Sequence, residues 1–160
     1  MELHSTKIDL EKGKRGEIVE ILNSRLADAI DLKSQAKQAH WNVKGPHFIG
    51  LHELFDRVST ETEAHIDEIA ERITSLGGTA MGTVRVAAQK SSLSEYPLEI
   101  TDGDAHVDAL STALSDFGKK VRAGIDETDK LGDADTADLF TEVSRSIDKL
   151  LWFVEAHVQS

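Results

Sequence analysis

With 160 residues, 39% of them hydrophobic, the chain has apolar material for one core, and its composition gives no sign of two. A formal net charge of −11 excludes a broad basic surface for phosphate binding and suits attraction of cations, although acidity alone also serves solubility. Cysteine is absent, excluding disulfides and thiolate metal sites; with no signal-like start and no apolar run of membrane-spanning length, a cytoplasmic protein with no membrane partner is expected.

The opening residues are polar, and about 1–14 is expected to be a mobile arm. A three-four apolar series through Ile18, Leu22, Leu26, Ala29 and Ala36 predicts a first helix over 16–41. Gly45-Pro46 closes the connection, and Leu51, Phe55, Val58, Thr62, Ile66, Ile69 and Ile73 stripe a second helix over 46–76, which Gly77-Gly78 stops. Residues 77–102, rich in Gly, Ser and Thr and holding Tyr96-Pro97, read as a long crossover with one short helix near 84–88. Val107, Leu110, Leu114, Phe117 and Val121 predict a third long helix over 103–131, and Phe140, Val143, Ile147, Leu150 and Val154 a fourth over 136–157. Two helices, a crossover and two helices make an all-α, ferritin-like four-helix bundle, expected to be one domain over 1–160.

The second helix also carries chemistry. His52 and Asp56, then Asp67 and Glu71, are spaced i,i+4, so each pair shares a face; His40 lies upstream. Imidazoles and carboxylates without thiolate suit iron, manganese or zinc. Asp67 and Glu71 repel one another unless a cation lies between them. Any one of these acids alone reads most simply as part of a solvated face; together with the histidines they point to metal. Asp56 and Asp67 are eleven residues apart, which returns nearly the same helical angle but separates them by roughly 16 Å along the axis. One straight helix therefore cannot bring both pairs to one metal. A copy packed antiparallel across a two-fold axis near Glu61 and Thr62 would set each pair opposite the other, and the site would lie between subunits.

His4, His47, His65, His106 and His157 lack a comparable partner pattern and are expected on the surface or behind the site, His65 with Glu68 being the main decoy. The Glu-x-x-His signature of di-iron bundles, repeated on two helices, is absent. Asp126, Glu127, Asp129, Asp133, Asp135 and Asp138 form a second acidic cluster between helices three and four. Asp135 can cap the fourth helix with Asp138 in its first turn, and the same acids can guide cations if several subunits bring these ends around a pore.

The run from His40 to Pro46, with Leu51-His52-Glu53, the stretch from Ile66 to Arg72, Asp135-Thr136-Ala137-Asp138 and Leu151-Trp152-Phe153, resembles the Dps miniferritins, the DNA-binding proteins from starved cells, over nearly the whole chain. That resemblance implies a hollow homododecamer with a ferroxidase centre at each two-fold interface. His40, His52 and Asp56 would come from one subunit, Asp67 and Glu71 from its neighbour. The implied reaction is oxidation of Fe(II), preferably by hydrogen peroxide rather than oxygen, followed by storage of ferric mineral and protection against oxidative damage. Zinc or manganese can occupy the same ligands. Trp41, beside the first ligand, would either accept an oxidising equivalent or pack at an interface, and Asp138 with Asp129 or Asp133 would line a three-fold entry pore.

DNA is the remaining partner. Members that bind it directly often use a Lys-rich arm; here Lys7, Lys12, Lys14 and Arg15 are mixed with Glu2, Asp9 and Glu11. Only weak, salt-sensitive binding is expected, and the alternative reading is a nucleoid-associated DNA-binding protein in which iron oxidation is secondary.

Overall fold

The structure, a computed structural model, describes residues 2–159. Five helices follow in order: α1 Lys12–Asn42, α2 Phe48–Ser75, α3 Val84–Lys90, α4 Gly103–Lys130 and α5 Ala134–Glu155. No strand occurs among the described residues. The four long helices and the short helix in the crossover are those expected from the apolar periodicity.

Most helix starts carry a side-chain acceptor for an N–H that has no partner inside the helix. Glu11 accepts from Gly13 N, Thr83 from Val86 N, Asp102 from Ala105 N and Asp133 from Thr136 N. The cap of α5 is thus Asp133, not Asp135, which lies in its first turn. At the end of α2, Gly77 takes a φ of +86°, its N–H reaching Thr74 O while Gly78 N reaches Ile73 O.

Short connections make α1 antiparallel to α2 and α4 antiparallel to α5. Lys44 N donates to Thr101 O at one end of the bundle, whereas Arg72 of α2 reaches Asp133 of α5 at the other, so the crossover runs the length of the molecule. Ile18, Leu22, Leu26, Phe55, Ile69, Leu110, Phe117, Phe140 and Ile147 are fully enclosed in one cluster fed by all four long helices. Each such side chain contributes about 1.5–3 kcal/mol relative to exposure. The crossover is pinned to α1 through buried polar residues that supply its unpaired backbone. Asp28 accepts from Ser92 N at 2.7 Å, and Asn23 bridges Thr79 O and Met81 N.

The N-terminal segment differs from the expected mobile arm. Lys12 and Lys14 belong to α1, Leu3 is 8% exposed within the core cluster, and His4 N donates to Gly77 O at 2.8 Å. Arg15, buried, donates to Leu76 O at 2.7 Å and to Leu10 O at 3.1 Å. Leu3, Ile8 and Leu10 scattered among polar residues carry too little periodicity to announce this docking, and Leu76, whose carbonyl Arg15 satisfies, is distant in the sequence.

Candidate metal centre

His40, at the end of α1, and His52, one turn into α2, face each other across the α1–α2 connection. Their rings stack at 3.7 Å between centroids. His40 Nδ1 lies 2.7 Å from His52 O, and His52 Nδ1 lies 2.8 Å from His40 O. A carbonyl only accepts, so both Nδ1 atoms carry hydrogen, and in the neutral rings both Nε2 atoms keep a free lone pair. Metal-ligating histidines are typically oriented in this way, the second nitrogen donating to a fixed oxygen.

Asp56, one turn beyond His52, is half-exposed and paired with Lys37 of α1 at 2.6 Å. Its carboxyl is held below the ordinary value, first by the hydrogen bond from Lys37, against the opposing effect of desolvation, with the charges of Lys37, His40 and His52 adding to the lowering. Lys37 was not anticipated as part of this neighbourhood. Its spacing of three from His40 on a helix was the available signal. Trp41 is 66% exposed, with Lys37 Nζ 5.9 Å from a ring centroid.

Asp67 and Glu71 lie further along α2, exposed, and form no ion pair among the described residues. One chain therefore brings His40 and His52 together but not all five candidate ligands. Among the described residues no group of three or more His, Asp or Glu side chains is placed to hold a metal ion.

The acids at the α4–α5 turn separate by role. Asp133 is 5% exposed, accepts from Arg72 Nη2 at 2.7 Å and from Thr136 N at 3.0 Å, and also receives the Thr136 hydroxyl. Capping and ion pairing consume it, which removes it from the pore candidates; Asp129 and Asp138 remain exposed. The decoy His65 is buried and meets Glu68 at 3.2 Å. His106, expected on the surface or behind the site, is buried against Tyr96 and Phe55.

A ferritin family profile, described as a ferritin-like domain, matches residues 19–160. A protein of Agrobacterium fabrum (strain C58 / ATCC 33970) called "DNA protection during starvation protein" is 46% identical over 99% of this chain and 98% of its own. The chain belongs to the Dps family. Solved Dps structures superpose closely on it. DpsA14 from Streptomyces coelicolor has a TM-score of 0.94 at 33% identity, covering 100% of this chain and 96% of that one. The tetragonal form of Mycobacterium smegmatis Dps has a TM-score of 0.93 at 31% identity, covering 98% and 96%. No helix among the described residues is long and apolar enough to cross a membrane.

Proposed function

We propose that this Dps protein is an iron-storage and detoxification miniferritin. It oxidises Fe(II), preferably with hydrogen peroxide, at centres between subunits and stores the ferric product in a hollow homododecamer in the cytoplasm. The observation that carries this reading is the mutual lock of His40 and His52, which turns two acceptor nitrogens away from the backbone. Asp67 and Glu71 lie exposed on the same helix, Asp67 at nearly the angle of Asp56 but roughly 16 Å along the axis. A single chain cannot close that gap. An antiparallel copy closes it twice, once for each of two symmetric centres.

At such a centre carboxylates favour the ferric state by charge, neutral imidazoles complete the shell, and open positions admit the oxidant. Each of two Fe(II) ions gives one electron to peroxide, whose O–O bond breaks; two protons complete two waters. Iron and peroxide are consumed together. Lys37 competes with the metal for Asp56 Oδ1, and zinc or manganese competes for the same donors. Asp129 and Asp138 guide cations inward.

DNA binding is weak in this reading. Of the four basic groups in residues 1–16, Arg15 is buried and committed to backbone carbonyls, leaving Lys7, Lys12 and Lys14 against Glu2, Asp9 and Glu11. The experiment for the main reading is anaerobic Fe(II) oxidation with added peroxide, comparing wild type with Asp67→Ala/Glu71→Ala, both confirmed as assembled. Oxidation should be fast in the wild type and collapse in the variant; equal rates would remove the site assignment.

A further inference from the structure

Residues 95–100 of the crossover form a strap between two anchors. Gln35 Nε2 donates to Ser94 O at 3.0 Å on one side, and Lys44 N donates to Thr101 O at 2.8 Å on the other. Between them the strap is held lightly. Pro97, Leu98 and Glu99 are exposed, and a cleft of about 350 Å³ lies between the strap and α4, lined in part by Tyr96, Pro97, Ile100, Ala105 and Ala109. Among the described residues, the one hydrogen bond that ties the strap to the bundle comes from Tyr96, whose hydroxyl lies 2.6 Å from Nδ1 of His106 on α4.

His106 is 1% exposed, and Tyr96 is partly buried. The phenol is the stronger acid of the two neutral partners, so its O–H donates to Nδ1; the ring hydrogen is then on Nε2, which is buried without a partner. A proton added to this ring has to go on Nδ1. It removes the acceptor that Tyr96 uses and places a positive charge where water does not reach. From α4 itself the titratable group bearing on the ring is Asp102, and from the crossover it is Tyr96. The end of α1 brings only the Asn42 carbonyl, and α2 only the ring of Phe55, its centroid 6.4 Å away. Burial outweighs the charge of Asp102 and the carbonyls of Ile100 and Asn42, and pushes His106 below its ordinary value.

We propose that Tyr96 and His106 form an acid-sensitive latch: a proton taken up by His106 releases residues 95–100 from α4 and opens the cleft behind them. Once the strap lifts, water solvates the charged ring, so the open form binds the proton more readily than the closed one. The latch therefore holds fully above the ordinary histidine value of 6.5 and weakens as pH falls below it, until the closed form itself takes the proton. The two anchors are amide-to-carbonyl hydrogen bonds, which do not titrate, so the opening is confined between them.

The test is hydrogen exchange on the assembled protein, read by mass spectrometry and corrected for the intrinsic pH dependence of amide exchange. Between about pH 7.5 and 5.5, uptake of one proton by the open form should raise exchange at residues 95–100 by up to about tenfold, while peptides from the middle of α4 stay protected. His106→Gln keeps an acceptor for the Tyr96 hydroxyl but has no titrating ring, and should show no rise. Tyr96→Phe leaves His106 in place and should exchange fast already at the upper end of the range. An equal rise in His106→Gln overturns the proposal, as does a strap in Tyr96→Phe that stays as protected as in the wild type. If His106→Gln does not assemble, the wild-type profile decides: a rise confined to the strap and following a single proton supports the latch, whereas a flat profile, or α4 loosening in parallel, overturns it.

Discussion

Lys37 Nζ stands 2.6 Å from Asp56 Oδ1, so a carboxylate on the candidate-ligand face of α2 is already paired with a cation from α1. A metal entering on this carboxylate would compete with that ammonium. An exposed pair of this kind is worth at most about 1 kcal/mol, so Lys37→Met should tighten zinc binding by roughly two- to fivefold. Zinc calorimetry on assembled wild type and variant measures this without redox complications. Unchanged or weaker binding would show that Lys37 does not compete.

The same pair carries a pH dependence. Its lowered pKa means that ionised Asp56 contributes stability above the ordinary value of 3.8, and the contribution disappears as pH falls through the lowered value. With Asp56 48% exposed, solvent screening keeps it under about 1 kcal/mol. Wild type should therefore be slightly more stable than Lys37→Met near neutrality and equal to it in strong acid, as read by denaturant melts across pH. An advantage that persists in acid would belong to the lysine's packing instead.

Mixed assemblies test whether the centre is shared. A His52→Ala/Asp56→Ala subunit and an Asp67→Ala/Glu71→Ala subunit are each expected to be inactive alone. In a mixed dimer one centre collects every substitution and the other none, so random co-assembly should restore about a quarter of wild-type oxidation. A centre built within one chain would restore nothing.

Asp133 and Asp138 should behave oppositely. Asp133→Ala removes the cap of α5 and strands Arg72, for an expected loss of about 2–4 kcal/mol. Asp138→Asn, on an exposed side chain, should change stability by less than about 1 kcal/mol and slow iron uptake instead. Thermal melts beside uptake kinetics separate the two; slow uptake with unchanged stability in Asp133→Ala would return that residue to the pore.

Gly77→Ala tests the docked N-terminus. The added Cβ would approach His4 O to 2.4 Å at a φ that L residues rarely adopt, so the substitution should cost about 1–3 kcal/mol and release the segment. Faster hydrogen exchange at His4 N, which donates to Gly77 O, would register the release. Exchange as slow as in the wild type would mean that the segment is held elsewhere.

The four long helices and the short crossover helix were legible because apolar spacing is a local signal that every turn repeats. Phe55, Val58, Ile69 and Ile73 point inward on α2 as their periodicity requires. The pairs His52 with Asp56 and Asp67 with Glu71 were equally legible, since i,i+4 spacing places side chains on one face without reference to any other element. Even the separation of the two pairs is plain arithmetic on helical rise. Only the tertiary structure decided what those side chains meet. That Lys37 neutralises Asp56, that His40 and His52 fix each other's hydrogens, that Asp133 is spent on Arg72 and that Tyr96 finds a buried His106 all depend on contacts between elements distant or separately folded in the chain. The physical reason is range: helix geometry is set by neighbours within one turn, whereas hydrogen bonding and charge pairing between helices depend on how the completed bundle aligns them.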